Sequence, residues 1–407
     1  MSEWRTYRIA ALGRIVTGKT PPSSQPELFD GQIPFITPSD MSYDHRDIST
    51  ERFVSADWGS GERTLLPARA VCVVCIGATI GKICMTSKPS QTNQQLNSVI
   101  VDHEHFDQIF VYYALRMKVG ELVGRAAGAA TPIINKTAFS EVEIDAPNLV
   151  TQRRIASILG AYDDLIQVNR RRIAVLEEMA RGLFEEWFVR FRFPGHEAAR
   201  IEDTSNGPLP RGWSWGRFDD LASEIRDTIL PQAVDPTTPY IGLEHISRRS
   251  TTLAEHGLAA DASSLKARFR RGDILFGKIR PYFHKVTWAP FDGVASTDAI
   301  VWRPVRGLAA QALLQASSDA FVAHSVQTSN GTKMPRANNK VLAAYPCALA
   351  PSNISDRFEN AVLPMIESAA SFQAANSLLA ASRDLLLPRL MSGQLSVAQA
   401  ERELEAA

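Results

Sequence analysis

The chain has 407 residues, of which 45% are hydrophobic and 22% are charged, and its 44 basic side chains balance its 44 acidic ones. This composition is typical of two or three globular domains, each with its own core. No run of uncharged apolar residues is long enough to cross a membrane. Glu3, Arg5, Arg8 and Arg14 interrupt the apolar residues at the start of the chain, so we expect no secretory signal there and a cytoplasmic protein.

Short β-type runs broken by Pro, Gly and Asp open the chain, among them Ile33–Ile36 and Val71–Ile76. We interpret them as strands of a mixed α/β domain dominated by strands and long loops. Cys72 and Cys75 lie in the second run and Cys84 follows it, but no fourth thiolate or histidine stands at ligand spacing. The cysteines are therefore expected to be small core residues, with no bound metal and no disulfide framework.

The segment Gly77–Lys82 resembles a phosphate-binding loop, because two glycines precede a lysine. That loop requires four residues between the glycines and a Ser or Thr after the lysine, whereas here three residues intervene and Ile83 follows. We expect instead a hairpin tip that offers Thr79 and Lys82 to the backbone of a ligand. His103-Glu104-His105 lacks a third metal ligand at useful spacing and is interpreted as a solvated turn.

We recognise no motif of an enzyme in the sequence. It contains no Asn/Asp-Pro-Pro-aromatic tetrapeptide, which a base-flipping methyltransferase would show, and no helicase-type motif. We therefore predict no catalytic residue.

A long amphipathic helix is predicted from Thr151. Two series with seven-residue spacing form its apolar stripe: Ile155, Tyr162, Asn169, Leu176 and Leu183, and beside them Leu159, Ile166, Ile173, Ala180 and Trp187. A helix of roughly 35 residues would be about 50 Å long. Asn169 puts a polar group into the stripe, which in coiled coils often fixes the register. The helix is expected to end at Pro194-Gly195, and Ser205–Pro208 marks a linker.

After the linker, a basic run precedes a second helical stretch. Between Leu265 and Lys285 only Asp273 opposes seven basic residues, which are Lys266, Arg268, Arg270, Arg271, Lys278, Arg280 and Lys285. The helical pattern begins near Ser352, and we expect Pro364 to kink or restart it and Pro388 to bend its end. Because a helix this long cannot bury its stripe alone, the two helical segments are expected to pack on each other.

The chain repeats itself once, with a shift of about 205 residues, which is the spacing of two domains and not of a solenoid. Three pairs of segments keep the same order: Pro34–Met41 with Pro239–Ile246, Ala68–Val73 and Gly77 with Arg270–Phe276 and Gly277, and Thr131–Lys136 with Met334–Asn339. Each half then ends in a long helical pattern. The repeat predicts two related domains, each followed by a helix.

Polar and basic loops of the kind that bind nucleic acid remain. Lysine and arginine neutralise phosphates, arginine can pair with guanine, and asparagine and glutamine can pair with adenine. The candidate contacts are Thr79, Lys82, Gln94, Asn135, Lys136, Arg270, Lys278, Arg280, Tyr282, Lys285, Lys333, Arg336, Asn338 and Lys340. For each amide, including Gln95, Asn97 and Asn339, the alternative is a solvated loop or a hydrogen bond that holds a turn.

Motifs along the whole chain resemble the specificity subunits of type I restriction-modification systems. The starts of two target-recognition domains are similar to Leu12–Pro21 and to Pro208–Trp213, Gly272–Phe276 with Arg280-Pro281 is typical of the same domains, and Gln152–Leu159 and Leu385–Gly393 resemble the helical regions that follow. One departure is the opening of the second helix, which has Asp356-Arg357-Phe358 in place of Gln-Arg-Arg-Ile.

The resemblance implies α/β (α+β) target-recognition domains in pseudo-twofold repeat, separated by long antiparallel coiled-coil-like helices. The expected boundaries are 1–150 for the first domain, 151–195 for its spacer helix, 208–351 for the second domain and 352–407 for its helical region. Each domain would read one half of a split site in double-stranded DNA. The helices would set the gap, since about 50 Å corresponds to about 15 base pairs.

The resemblance also implies partners that carry the chemistry. Two modification (methyltransferase) subunits would dock on the helices, with the stripe from Ile155 to Trp187 as the candidate packing and docking surface. Restriction (translocase-nuclease) subunits would join them. We expect no cofactor in this chain, and S-adenosylmethionine, ATP and Mg²⁺ on the partner subunits. Two alternatives stay open: a nuclease or modification enzyme with an unrecognised active site, and a protein-interaction scaffold that does not bind DNA.

Overall fold

A computed structural model describes residues 4–59, 63–126, 132–331 and 333–405. The chain divides into two compact units, which we call unit 1 (Met1–Ile166 with Leu378–Ala407) and unit 2 (Gln167–Ser377). The boundary between them falls within both long helices, Leu149–Phe184 and Ser352–Met391. Thr131, the first residue of one repeated segment, lies outside the described residues.

Unit 1 is built on a mixed sheet. Its strands are Arg5–Arg8, Gly13–Thr17, Ile33–Ile36, Asp47–Ile48, Phe53–Val54, Val71–Val74, Ile83–Thr86, Gln91–Thr92, Leu96–Val101 and Glu143–Ala146. Its short helices are Ala56–Gly59, Gln108–Met117, Val119–Ala126, Lys136–Ser140 and Val397–Glu405. The β-branched run Val71–Val74 is wholly buried at the middle of the central sheet, as predicted for a core strand. Cys72, Cys75 and Cys84 are buried and unpaired there.

Unit 2 contains a corresponding set of elements. Its strands are Ile201–Glu202, Leu209–Pro210, Ser214–Arg217, Ala222–Ile225, Thr228–Ile229, Pro239–Ile241, Gly257–Leu258, Lys266–Phe269, Ile274–Gly277, Val286–Trp288, Gly293–Ser296, Ala299–Pro304 and Pro346–Leu349. Its short helices are Ala309–Ala316, Asp319–Gln327 and Asn339–Ala343. Buried aromatic rings fill its core, with Phe218 and Trp302 centroids 4.6 Å apart.

The central sheets of the two units share four strands in the same order, and the sheet of unit 1 has a fifth at its edge. In unit 1 the order is Gly13–Thr17, Leu96–Val101, Val71–Val74, Ile83–Thr86 and Asp47–Ile48. In unit 2 it is Ala222–Ile225, Ala299–Pro304, Ile274–Gly277 and Val286–Trp288. A side sheet beside each one contains a parallel strand pair, in which Phe35 opposes Gln91 and Tyr240 opposes Val294. The internal repeat predicted from the sequence is therefore confirmed at the level of topology.

The first long helix begins at Leu149, two residues before the predicted start, and a π-helical turn, Glu185–Val189, extends it. Its predicted stripe is the inner face. Leu159, Ile166, Ile173, Ala180 and Trp187 are buried, and of the neighbouring series Ile155 and Asn169 are buried while Tyr162, Leu176 and Leu183 are half-buried. The seven-residue spacing thus identified the packed side of the helix.

Proline does not restart the second long helix. Ser352–Met391 is one continuous helix through Pro364, and Pro388 lies inside its last turn. The expectation of a restart at Pro364 was wrong. Val362 and Ile366 on either side are buried in the core of unit 2, and this packing offsets the backbone hydrogen bond that proline removes.

Each unit joins its two helix segments through a buried polar pair. In unit 2 the Asn169 Nδ2 donates to Asn376 Oδ1 at 3.0 Å. The rings of Trp187 and Phe358 meet 5.4 Å apart, and the two pairs together show that the segments run antiparallel. In unit 1 the pair is ionic, because the guanidinium of Arg383 donates to the carboxylate of Asp163 and both side chains are buried. No helix of the described residues is long and apolar enough to span a membrane.

Candidate nucleic-acid interface

A loop beyond the central sheet is held by the same backbone hydrogen bonds in both units. In unit 1 Gly77 N donates to Pro132 O at 3.0 Å, and Ile134 N donates to Cys75 O at 2.8 Å. In unit 2 Arg280 N donates to Pro335 O at 2.7 Å, and Ala337 N donates to Lys278 O at 2.8 Å. We call these places tip 1 (Cys75–Lys82 with Pro132–Lys136) and tip 2 (Lys278–Lys285 with Lys333–Lys340). They gather most of the candidate residues predicted from the sequence.

The hydrogen bonds also correct the alignment of the repeat. Val74 N donates to Lys82 O at 2.9 Å, and Gly277 N donates to Lys285 O at 2.8 Å. Gly277 therefore corresponds to Val74, and Gly77 corresponds to Arg280. Pairing Gly77 with Gly277 was wrong by three residues, because a glycine was taken as the landmark where the strand partners set the register.

The lysine that closes each tip holds a loop of its own unit. Lys82 Nζ donates to Met41 O at 2.8 Å and to Pro38 O at 3.3 Å. Lys285 Nζ donates in the same way to Leu243 O. Both lysines are partly buried, and desolvation lowers the pKa of Lys285. Their ammonium groups are engaged inside the unit, so these two candidates are the least available for a ligand.

Several candidate amides have partners within their own unit. Asn135 caps the helix Lys136–Ser140 by accepting from Ala138 N at 2.8 Å, and Asn338 caps Asn339–Ala343 by accepting from Lys340 N at 3.0 Å. Gln94 is exposed and accepts from the Thr20 hydroxyl. Both capping asparagines therefore form hydrogen bonds that hold a turn, which was the alternative to binding nucleic acid.

Three further amides also hydrogen-bond within the chain. Gln95 Nε2 donates to Ile76 O at 3.3 Å, and Asn97 Oδ1 accepts from the Thr17 hydroxyl at 2.7 Å. Asn339 donates to the Glu224 carboxylate. Thr79 is half-buried in tip 1, and no side-chain hydrogen bond is formed by it within the described residues.

Tip 2 presents a cluster of exposed cations. Arg280, Lys333, Arg336 and Lys340 are exposed, Lys278 is half-buried, and Asp298 binds Arg336 at 3.1 Å. Tyr282 is 52% exposed beside them, with its ring 4.7 Å from that of Phe283. Cations next to an exposed aromatic ring are suited to a nucleic-acid backbone and its bases.

The two tips differ at the positions with left-handed backbone. Tip 1 has Gly77 at φ +98° and Gly81 at φ +91°, whereas tip 2 has Arg280 at φ +50° and His284 at φ +53°. Residues with a Cβ adopt this conformation at a cost, so unit 2 retains two side chains where unit 1 has none. One of the two faces solvent: Arg280 is exposed, and its guanidinium makes no ion pair within the described residues.

His284 has a different role from Arg280. Its ring is buried, Nε2 lies 2.7 Å from Ser317 O, and Nδ1 lies 3.6 Å from the Asp319 carboxylate. Burial lowers the pKa of His284, so the neutral ring donates to the carbonyl. His284 fixes tip 2 to the helix Asp319–Gln327.

The basic run of unit 2 is dispersed by the fold. Lys266 is buried and donates to Ser264 O at 2.8 Å, Arg271 faces Glu367 at 3.7 Å, and Asp273 binds Arg303 through two hydrogen bonds of 2.8 Å. Lys278 and Arg280 go to tip 2. Arg268 and Arg270 remain exposed on the strand Lys266–Phe269 and at its end. The run is thus two separate groups and not one patch.

One group of acidic and histidine side chains comes together that spacing did not predict. Asp102, Glu104 and His105 have ligand atoms within 4.8 Å of one another, and His105 Nδ1 lies 2.8 Å from Asp102 Oδ2. The hydrogen bond with Asp102 raises the pKa of His105. Asp102 is the third group that the sequence analysis missed, because the turn folds back on the residue just before it. All three side chains are exposed, as expected for a solvated turn.

Exposed apolar side chains on the long helices are a second feature that sequence reasoning missed. Val168, Val175 and Met179 of unit 2 are 40%, 53% and 49% exposed, and Leu378 and Leu385 of unit 1 are 71% and 72% exposed. They lie outside the buried stripe, which intrachain packing occupies. The seven-residue spacing from Val168 to Val175, and from Leu378 to Leu385, was the signal that could have identified them.

Known proteins are similar to this chain in sequence and in fold. A family model described as a type I restriction modification DNA specificity domain matches residues 1–178. The MjaIX specificity subunit of Methanocaldococcus jannaschii is 24% identical over 97% of this chain and 94% of its own length. The HindI specificity subunit of Haemophilus influenzae is 34% identical over 38% of this chain and 35% of its own. The crystal structure of a type I S subunit from M. genitalium covers 96% of each chain at a TM-score of 0.56 and 14% identity. Residues 1–178 thus match the type I specificity domain, and the chain is similar over nearly its whole length to specificity subunits of type I restriction-modification systems.

Proposed function

We propose that this chain selects the DNA sequence for a type I restriction-modification complex, with each unit binding one half of a split site. The observation that carries the proposal is the repeated tip, held in both units by the same backbone hydrogen bonds. A duplicated binding element with one active copy per unit is what a two-part site requires. The specificity subunits that resemble this chain over most of its length support the same reading.

Tip 2 would grip the sugar-phosphate backbone of its half-site. It has four exposed cations, Arg280, Lys333, Arg336 and Lys340, and Arg336 is paired with the acidic residue Asp298. A surface of one sign attracts phosphate and orients a protein on the duplex without reading sequence. Tip 1 would approach the other half-site through its glycines, with Lys136 as the exposed cation at its edge.

The long helices would serve as a spacer and as a docking surface for two modification subunits. Leu378 and Val175 occupy corresponding positions of the second and first long helices, 203 residues apart, and both are exposed. Each unit therefore offers one apolar helix face of its own, with Leu385 beside Leu378 and Met179 beside Val175. Two faces that share this exposed apolar position suit two copies of one partner.

Catalysis in this proposal resides in the partners. The modification subunits would bind S-adenosylmethionine and methylate an adenine in each half-site, and the restriction subunits would use ATP and Mg²⁺. This chain would hold no cofactor and supply the address and the scaffold. The complex would act in the cytoplasm, where the DNA is.

Replacing Lys278 and Arg280 with alanine tests the assignment of tip 2 to one half-site. We expect weaker binding at the half-site of unit 2 only, so that scrambling this half-site costs the variant less affinity than it costs wild type, while scrambling the other half-site has its usual effect. The measurement is methylation of duplexes in which either half is scrambled, with Lys136→Ala in tip 1 as the reciprocal variant. Equal loss at both halves for either variant would contradict the proposal.

Deleting the heptad Ile166–Arg172 tests the spacer role. The deletion keeps the seven-residue spacing of the stripe and shortens the helix by about 10 Å, so the preferred gap should shrink by about three base pairs with unchanged half-site sequences. Sequencing of methylated sites in cells that express the variant with its partners measures both quantities. An unchanged gap would refute the spacer role.

A further inference from the structure

The side sheets of the two units share three strands and then diverge. In unit 1 the shared strands are Phe53–Val54, Ile33–Ile36 and Gln91–Thr92, and in unit 2 they are Gly257–Leu258, Pro239–Ile241 and Gly293–Ser296. Unit 2 adds two more strands, Lys266–Phe269 and Thr228–Ile229, which we call the extension. In the described part of unit 1 the corresponding place has the single bridge from Leu66 to Ser90.

The extension borders a groove of about 680 Å³. Three arginines and three aspartates line it: Arg268, Arg270, Arg303, Asp227, Asp235 and Asp292. Opposite charges in equal number distinguish this groove from tip 2, where cations dominate. Aspartates would repel a phosphate, whereas base edges in the major groove of DNA present donors and acceptors side by side.

Half of the charged groups in the groove are already engaged. Arg303 binds Asp273 through two hydrogen bonds of 2.8 Å, Asp292 accepts from Arg271 N at 2.7 Å, and Asp235 accepts from the Thr237 hydroxyl at 2.6 Å. These bonds hold the side chains of the groove wall in place.

Arg268, Arg270 and Asp227 remain available. Arg268 lies on the strand Lys266–Phe269 and Arg270 follows its end; both side chains are exposed and make no ion pair within the described residues. Arg268 N donates to Asp227 O at 2.8 Å, and Arg270 N donates to Asp273 Oδ2 at 2.7 Å, so both backbones are fixed. A fixed backbone below a free guanidinium places its fork of donors where a base edge can be read.

We propose that unit 2 reads the bases of its half-site with the extension groove, in which Arg268 and Arg270 donate to base acceptors such as guanine O6 and N7 and Asp227 accepts from an amino group such as cytosine N4. This rests on the proposed function. Elements common to both units hold the backbone of either half-site, and the added strands supply the sequence preference of one half.

The test compares Arg268→Ala and Arg270→Ala with Arg271→Ala, which removes the same side chain from the adjacent position that faces Glu367. The full chain with its modification subunits is titrated with the duplex that carries the mapped site and with random-sequence duplexes. We expect Arg268→Ala and Arg270→Ala to weaken binding to the mapped site by about 10- to 100-fold, with unchanged binding to random duplex and an unchanged salt dependence. Arg271→Ala should change neither.

Mapping of methylated sites then gives the positions read. Each groove variant should relax the preference at one or two positions of one half-site and leave the other half intact. An equal loss on both duplexes, with a salt slope lower by about 0.9, would make the arginines phosphate contacts and overturn the proposal. No change on either duplex would place the groove outside the interface. Wild-type binding without sequence preference would overturn the proposed function itself.

Discussion

The two units have the same framework and solve the same structural problems with different residues. Their central sheets share a strand order, and their tips share a set of backbone hydrogen bonds. Unit 1 has glycine at the two left-handed positions of its tip, whereas unit 2 has Arg280 and His284. The helix pair is joined by an ionic pair in unit 1 and by two amides in unit 2. The framework therefore tolerates exchange of chemistry as long as the backbone pairing is kept.

The helix pair of unit 1 offers the largest effect. Replacing Arg383 with alanine would leave the buried carboxylate of Asp163 without its cation, although Tyr113 Oη would still donate to it at 2.5 Å. We expect the free energy of unfolding to fall by about 3–5 kcal/mol. Urea denaturation at neutral pH measures it. The double variant Arg383→Met with Asp163→Leu removes both charges and should recover most of the loss, which a cavity effect alone would not allow.

The matching change in unit 2 should cost less. Asn376→Ala leaves the Asn169 amide buried without a partner, and a lost neutral hydrogen bond of this kind costs about 1–3 kcal/mol. The same urea experiment ranks the two pairs. If Asn376→Ala lowers the free energy of unfolding as much as Arg383→Ala or more, charge does not account for the difference between the two buried pairs.

Substitutions at the corresponding left-handed positions of the two tips should affect stability differently. At Gly77 an added Cβ would meet only Gln95 Nε2, at 3.5 Å, so Gly77→Ala pays for its backbone conformation and should lower the free energy of unfolding by about 1–2 kcal/mol. Arg280→Gly relieves the same strain and should not destabilise unit 2. Thermal denaturation of both variants checks the signs, and a loss of stability for Arg280→Gly would mean that its side chain packs within the unit.

The smallest expected effect is a pH dependence of stability that comes from His284, which has no titrating counterpart in unit 1, where Gly81 occupies the corresponding position. Burial depresses the pKa of His284 in the folded chain and Arg249 and Arg181 lower it further, while the hydrogen bond with Ser317 O and the charge of Asp319 oppose them. The unfolded chain then binds the proton more readily, so the stability that His284 contributes is present above about pH 6.5 and is lost as the pH falls toward the folded pKa.

The variant His284→Gly copies Gly81 of unit 1 and isolates this contribution. The difference in free energy of unfolding between wild type and variant should shift against wild type as the pH falls from 7.5 to 5. This change is about 1.4 kcal/mol when the pKa of His284 differs by 1 between the folded and the unfolded chain. Other titrating groups, including His105, cancel in the difference, and a difference that stays constant with pH would refute the account.

Much of the architecture was readable from periodicity and order along the chain. The seven-residue spacing of Leu159, Ile166 and Ile173 identified the packed face of the first long helix, because a helix that long must bury one stripe. The preserved order of repeated segments predicted two related domains, and the motifs predicted the similarity to type I specificity subunits that the comparisons found. These features depend on local residue patterns, which the sequence contains directly.

The candidate site was predicted only in part. The sequence singled out Lys82, Lys285, Asn135 and Asn338 by residue type, but whether such a side chain reaches a ligand or a neighbouring carbonyl depends on which segments fold beside it. Arg268 and Arg271 stand three positions apart in the same basic run, and only the fold gives Arg271 a partner in Glu367 and leaves Arg268 facing a groove.

By itself the sequence determined the packed face of the first long helix, the repeat and the resemblance to type I specificity subunits, because each rests on spacing along the chain. Tertiary structure alone decided that Gly77 corresponds to Arg280, that the helix runs on through Pro364, and that the basic run divides into a tip and a groove. The physical reason is the same in each case. Hydrogen bonds and packing between segments far apart in the chain outweigh local preference, and no local pattern records which segments will meet.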